Sequence, residues 1–350
     1  MDILIIGGGL CGLTTAYLLE KEGASATILE ARERLGGRIY TSRTDGEAPI
    51  EMGATWLGKK HQHLTSLLDE LNIDIYKQYM GSKGYYEPMS VSPPQLVDLP
   101  PNEEPSYRIE GGSDKLIYKL YNQLQKSRVL LDSAALSIQK YDRKLEVNTF
   151  TEHFKADIII STLPPKLLVD SISFKPELPN NLRPIGEQTH TWMGESIKVA
   201  LTFENPFWRT ENSSGTIFSN VGPVNEMYDH SNEQQSQYAL KGFLNDAYYS
   251  VSRKERKELI LNQLRRFYGQ KTNNYQSYHE MVWKNEPFTF TEYDTHILPH
   301  QHNGHPIFQT PFWDNRLIIS GSETARDFPG YMDGAVESAI RVVNKVKSLA

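Results

Sequence analysis

Ile3-Leu4-Ile5-Ile6-Gly7-Gly8-Gly9-Leu10-Cys11-Gly12 opens the chain with an apolar run followed by glycines at 7, 9 and 12. The run predicts a short strand buried on both faces, and the G-x-G-x-x-G spacing predicts a turn tight enough for backbone to approach a pyrophosphate at a helix N-terminus. Leu13 to Glu22 then reads as a helix with Leu13, Ala16, Tyr17 and Leu19 at its small or apolar positions, ended by Gly23. Ala26-Thr27-Ile28-Leu29 is a second strand ending in Glu30, 18 residues beyond Gly12, close to the spacing at which an acid accepts hydrogen bonds from an adenosine ribose. A glycine turn alone is weak evidence. Strand, turn, helix, strand and acid in succession define a dinucleotide-binding unit.

The far end of the chain carries a second unit of this kind. Leu317-Ile318-Ile319 runs into Gly321-Ser322-Glu323-Thr324 and then into Pro329-Gly330-Tyr331-Met332-Asp333-Gly334, so a strand, a glycine-rich turn and a helix meet there as well. Backbone N–H groups leave such turns unpaired and aimed at an anionic or electron-rich group. Two of them at opposite ends predict one dinucleotide clasped by both. Between them, Glu30-Ala31-Arg32-Glu33-Arg34-Leu35-Gly36-Gly37-Arg38 adds another glycine pair and an arginine for the same pyrophosphate.

This arrangement resembles the flavin amine oxidase family. The likeness continues at Glu51-Met52-Gly53-Ala54-Thr55-Trp56-Leu57-Gly58, at Ile160-Ser161-Thr162-Leu163-Pro164-Pro165, at Met193-Gly194-Glu195-Ser196-Ile197-Lys198-Val199, at Pro206-Phe207-Trp208-Arg209 and in the C-terminal motif. The resemblance implies an α/β fold: a Rossmann-like FAD-binding domain (residues 1–75, 109–165 and 311–350) interleaved with a smaller α+β substrate domain (76–108 and 166–310). It implies FAD contacts from Gly7, Gly9, Leu10, Cys11, Gly12, Glu30, Ala31, Arg32, Gly36, Gly37, Arg38, Gly53, Ala54, Thr55, Trp56, Thr162, Gly321, Ser322, Glu323, Tyr331 and Met332. Family members with a covalent flavin use a cysteine just before the second cage tyrosine, where this chain has Glu292, so the FAD is expected to be non-covalent.

Three residues carry the expected chemistry. By resemblance, Tyr331 and Tyr293 are the two walls of an aromatic cage before the flavin ring; read from the residues alone, each is a tyrosine packed at an element edge. Lys198 alternates with Ile197, Val199, Leu201 and Phe203, so it points away from their hydrophobic face. The resemblance places it near flavin N5, while the pattern alone also suits a solvated lysine. The implied reaction is hydride transfer from a neutral amine to the flavin, with an imine that hydrolyses to a carbonyl and dioxygen as acceptor, giving hydrogen peroxide. No arginine follows the Glu-x-Gly-Ala motif, which favours an amine without a carboxylate. A flavin-dependent dehydrogenase of the carotenoid or porphyrinogen type, or a partner-binding flavoprotein with little turnover, are the competing readings.

Composition bounds the rest. With 350 residues, 39% of them hydrophobic, the chain can build two cores, and a net charge of −6 argues against nucleic acid as a partner. No apolar run approaches a membrane span and one cysteine excludes an intrachain disulfide, so a cytoplasmic enzyme is expected, with a homodimer as one possibility. His61, His63, His300, His302 and His305 are read as loop residues and no metal is expected. Gly81 to Ser106, with Pro93, Pro94, Pro100, Pro101 and Pro105, is expected to be irregular and stands where monoamine oxidases carry a long helical block. Ser113 is expected to cap a helix, and Ser252 with Glu255 to form a capping box on another that Gly269 ends.

Overall fold

The computed structural model describes residues 1–210 and 213–349. Its centre is a parallel sheet in the order Leu317–Ile319, Ile158–Ser161, Ile3–Ile6, Ala26–Leu29 and Arg128–Leu130. The all-apolar strands are explained by what covers them. Ile3, Ile5, Ile158, Ile160 and Ile318 point into one core, under the helices Leu10–Lys21, Gln62–Glu70, Asp114–Gln123 and Met332–Lys347. Leu4, Ile6, Ile159, Leu317 and Ile319 point into the other, under a four-stranded sheet and the short helix Pro165–Ser171. Period-two alternation therefore divides each strand between two apolar layers. Ile5, on the central strand, has no exposed surface.

A seven-stranded sheet forms the second layer system, in the order Tyr275–Val282, Ile197–Phe203, Tyr238–Leu244, Val224–Asp229, Ser213–Ser219, Lys83–Glu87 and Gln95–Asp98. The helix Arg253–Tyr268 packs Ile260, Leu264 and Phe267 onto one face of it. That helix begins where Ser252 Oγ accepts the Glu255 N–H at 3.2 Å and ends at Gly269 with φ +64°. The strand Ile197–Phe203 alternates as its sequence predicts, with Ile197, Val199, Leu201 and Phe203 in the core beneath that helix. Its other face is equally buried, so Lys198 points away from that core without reaching solvent.

Two local expectations are corrected. The stretch Gly81 to Ser106 is not irregular throughout: Lys83–Glu87 and Gln95–Asp98 form an antiparallel hairpin at the sheet edge. Pro93 and Pro94 lie in its turn and Pro100 and Pro101 follow it, flanking the strands rather than removing ladder hydrogen bonds. Ser113 does precede the helix Asp114–Gln123, but its hydroxyl donates to Ala54 O at 3.1 Å instead of capping. The open N–H groups go elsewhere, Ser113 N–H to Glu51 Oε1 at 2.7 Å and Asp114 N–H to Thr41 Oγ1 at 3.2 Å. A buried carboxylate at a helix N-terminus satisfies the donors and the dipole together.

Candidate active site

One cavity of about 1000 Å³ runs from the glycine turn of the first strand to the face of the seven-stranded sheet. All the sequence-predicted cofactor residues line it except Gly12, Gly321 and Glu323. Gly12 is needed for packing: a Cβ there would lie 2.0 Å from Gly7 O. Gly7 itself has φ +109°, a conformation L side chains rarely adopt. The first helix has no side-chain cap and no acid in its first turn, so its N–H groups open onto the cavity beside Gly9, Leu10 and Cys11. Glu30, 4% exposed, is oriented by its own main chain: Oε2 accepts the Gly8 N–H at 2.8 Å and Oε1 the Arg32 N–H at 3.0 Å. The second glycine pair packs against the first through Gly36 N–H to Gly8 O at 2.9 Å and a bridge from Gly9 to Gly36.

Arg32 and Arg38 both line the cavity, and both guanidinium groups also make ion pairs within the protein. Arg38 Nη1 and Nη2 donate to Glu323 Oε1 and Oε2 at 2.5 and 2.8 Å, and Nη2 also reaches Ser322 Oγ at 2.9 Å. Burial alone would pull the guanidinium down, but Glu323 outweighs it and holds Arg38 above its ordinary pKa; burial would raise Glu323, yet Arg38 and Ser322 hold it below. The pair bolts the N-terminal motif to the C-terminal one. Arg32 donates to Glu286 Oε2 at 3.2 Å and Thr289 Oγ1 at 2.7 Å.

At the other end, the register sets three side chains in a row across adjacent strands: Lys198 opposite Phe243, and Phe243 opposite Glu226. All three line the cavity, with Trp56 and Trp283 alongside. Two strand spacings separate Lys198 from Glu226, roughly 10 Å. Lys198 Nζ donates to Gly53 O at 2.5 Å, and burial, opposed by Glu51, pulls its pKa to about 8. A second buried lysine, Lys241, sits diagonally on the same face of the sheet, donating to Thr55 Oγ1 with Nζ 4.8 Å from the Trp56 ring centroid. Burial first, and then the charge of Lys198, push Lys241 well below the usual lysine value.

Tyr331 lines the cavity as predicted, at the N-terminus of the helix Met332–Lys347, but Tyr293 does not line it. The rings around Tyr331 are Trp192 at 5.8 Å, His61 at 5.8 Å and, nearly parallel, His300 at 6.1 Å. The Tyr293 hydroxyl instead accepts the Thr191 N–H at 2.8 Å and donates to Thr189 O at 3.2 Å. These bonds hold Tyr293 to the segment from Thr189 to Trp192, and the aromatic ring beside Tyr331 on the cavity wall is that of Trp192. Sequence reasoning missed Trp192, Glu226, Phe243 and Lys241. Of these, only Lys241, a lysine within the apolar strand Tyr238–Leu244, left a readable signal. Among the described residues no group of three or more His, Cys, Asp or Glu is placed to hold a metal ion, and no helix is long and apolar enough to cross a membrane.

These features fit a flavin dinucleotide: uncapped helix N-terminus, oriented acid and a long cavity ending in aromatic side chains. The sequence pattern of the flavin containing amine oxidoreductases matches residues 10–88 and 80–347, so the chain belongs to that family. A probable flavin-containing monoamine oxidase A of Dictyostelium discoideum is 23% identical over 99% of this chain and 97% of its own, and human flavin-containing amine oxidase B is 22% identical over 99% and 86%. The first of those alignments spans 454 positions against a chain of 350, so at least 104 of them fall on residues absent here. Among solved structures, wild-type putrescine oxidase bound to putrescine superposes with TM-score 0.86 at 23% identity, covering 99% of both chains. Cyclohexylamine oxidase from Brevibacterium oxydans IH-35A gives 0.86 at 17% identity, again covering 99% of both.

Proposed function

We propose that the chain holds FAD without a covalent bond and oxidises an amine that carries a second cationic group, passing the electrons to dioxygen. The observation that carries the substrate reading is the row Lys198, Phe243, Glu226: the exposed Glu226 places a carboxylate at the wall of an aromatic cavity, two strands and so roughly 10 Å of backbone spacing from the lysine. The flavin supplies the acceptor for the hydride that leaves the amine's α-carbon. N–H groups of the first helix and Glu30 would hold its phosphates and ribose, and the N-terminus of Met332–Lys347 would face its ring system. Trp56, Phe243 and Tyr331 exclude water and orient the amine between their faces. Lys198, with a pKa of about 8, carries a proton at neutral pH and gives it up just above, so it can hold or move one at Nζ. Glu226, already oriented by the Tyr228 hydroxyl at 2.8 Å, takes the distal ammonium. The reading includes a cytoplasmic location and allows a second copy over the cavity mouth; composition is the support for the first. The relatives are amine oxidases, which disfavours a carotenoid- or porphyrinogen-type dehydrogenase.

Two measurements test this. Glu292 is exposed and salt-bridged to Lys284 at 3.2 Å, and the free cysteine, Cys11, is buried in the glycine turn with its thiol 3.2 Å from Ser320 Oγ. Acid precipitation should therefore release intact FAD into the supernatant, and a yellow washed pellet would overturn the non-covalent assignment. Glu226→Gln should reduce kcat/KM for a terminal diamine about tenfold relative to the monoamine of equal chain length, about 1.4 kcal/mol for one charge-assisted contact. An unchanged diamine-to-monoamine ratio would remove Glu226 from substrate recognition.

A further inference from the structure

Of the aromatic side chains on the cavity wall that this reading leaves unused, two are solvent-exposed: Phe150 by 83% and Phe288 by 41%. Phe150 stands on the turn joining strands Leu145–Asn148 and His153–Ala156. That turn is pinned by Thr149, whose N–H donates to Glu152 O at 2.9 Å and whose hydroxyl accepts the N–H groups of Thr151 and Glu152 at 3.3 and 3.0 Å. Its other three residues, Thr149, Thr151 and Glu152, are polar, as turn residues usually are. Phe150 is thus a large apolar surface fixed in place with nothing over it.

Phe288 stands on a second turn, closed by Thr289 N–H to Glu286 O at 2.9 Å. Arg32 clasps it from below through Glu286, Thr289 and, at 3.4 Å, Phe288 O, with its Cζ 5.6 Å from the Phe288 ring centroid. The two turns are remote in sequence but reach the same end of the cavity. Ser133 N–H donates to Glu30 O and Leu136 N–H to Asn148 O, both at 2.8 Å, which carries the Phe150 turn to the end of the strand Ala26–Leu29. Arg32, two residues past Glu30, carries the Phe288 turn there. In a dinucleotide whose pyrophosphate lies on the first helix and whose ribose lies at Glu30, the base is the next group outward.

We propose that Phe150 and Phe288 are an adenine-binding pair that stacks on the base of the bound FAD, with Arg32 as the positioning residue that holds Phe288 in place. The proposal rests on the FAD reading above. Base–aromatic stacking needs no hydrogen-bond code and is strong enough to matter: loss of one aromatic side chain corresponds to about a tenfold change in affinity. It also gives these turns a reason to present phenylalanine beside a cavity rather than a polar residue.

The test uses the full-length holoprotein, with flavin release on dilution read by flavin fluorescence, and the same protein reconstituted with FMN, which lacks the adenosine. Phe150→Ala and Phe288→Ala should each raise the FAD Kd about tenfold, and the double variant about a hundredfold, while the FMN Kd stays within twofold. Phe288→Tyr, which keeps the stacking face, should retain wild-type FAD affinity. A double variant whose FAD Kd moves less than threefold, or one in which FAD and FMN weaken in parallel, would overturn the adenine pair. Wild-type protein that holds FMN as tightly as FAD would overturn the FAD reading itself, and the adenine pair with it.

Discussion

Glu323→Ala is expected to destabilise the protein by about 3 kcal/mol and to loosen its hold on the flavin. The Glu323 side chain has no exposure, and both its oxygens accept from Arg38, whose side chain is a quarter exposed. Breaking a buried pair by removing one member costs about 3–5 kcal/mol because the other charge is left uncompensated, and the partial exposure of Arg38 puts this case at the lower end. The variant also removes an acceptor 3.3 Å from the Trp192 N–H, which stands beside Tyr331. Because the Glu323 carboxyl is held below its ordinary value, its contribution is present above that value and is lost as pH falls through the folded pKa. Denaturant unfolding at neutral pH should show the full difference, and the wild type should lose its advantage in acid. Glu323→Gln, which keeps the shape and one acceptor, should lose less. A Glu323→Ala variant within 0.5 kcal/mol of wild type, on the scale of ordinary surface substitutions of about ±0.5 kcal/mol, would mean that the clasp between the two terminal motifs contributes little.

The second large effect runs in opposite directions for activity and stability. Lys198→Met is expected to lower amine turnover about a hundredfold or more, the scale for a positioned proton-carrying group, while stabilising the fold at pH 7. A lysine that titrates at about 8 when folded and near 10.4 when unfolded costs the folded state about 3 kcal/mol below pH 8. The unfolded chain binds the extra proton between those values, so the penalty fades as pH rises from 8 toward 10.4. Loss of the donor to Gly53 O returns about 1 kcal/mol of it. A net gain of about 2 kcal/mol at pH 7 that shrinks by pH 10 should appear in paired unfolding curves. A variant less stable than wild type at pH 7 would mean that Lys198 is not held against its desolvation cost, and full turnover would remove it from the chemistry.

Those two residues also mark what could be read from the chain alone. The glycine turns, Glu30 and the strands beside them were legible because backbone requirements dictate them: Gly7 needs a positive φ, Gly12 needs the absence of a Cβ, and buried parallel strands need unbroken apolar runs. Alternation likewise separated Lys198 from the helix-covered core, although it could not reveal that the opposite face was buried too. Tyr293 could not be placed this way, because its depth depends on where the segment from Thr189 to Trp192 lies, more than a hundred residues earlier. Glu226 escaped for another reason. The register shifts between Val224 and Glu226, and one extra residue reverses the face that period-two reading assigns. The hairpin Lys83–Glu87 with Gln95–Asp98 was hidden by prolines that proved to flank its strands.

The strand order has a consequence for synthesis as well. Ile158–Ser161 lies between the first strand and Leu317–Ile319, and the helix Met332–Lys347 packs on the helix Leu10–Lys21. A ribosome that has just completed residue 161 must add 156 more before Ile319's strand can begin to cover that edge. At roughly 5–20 residues per second, the interval is roughly 8–30 s. For that time the nascent chain presents an unpaired parallel edge with three isoleucines in a row and a bare helix flank, a template for wrong pairing with another chain. Yield in the cell should therefore depend on holdase chaperones and on the pace of translation between those strands, even if the finished protein is stable.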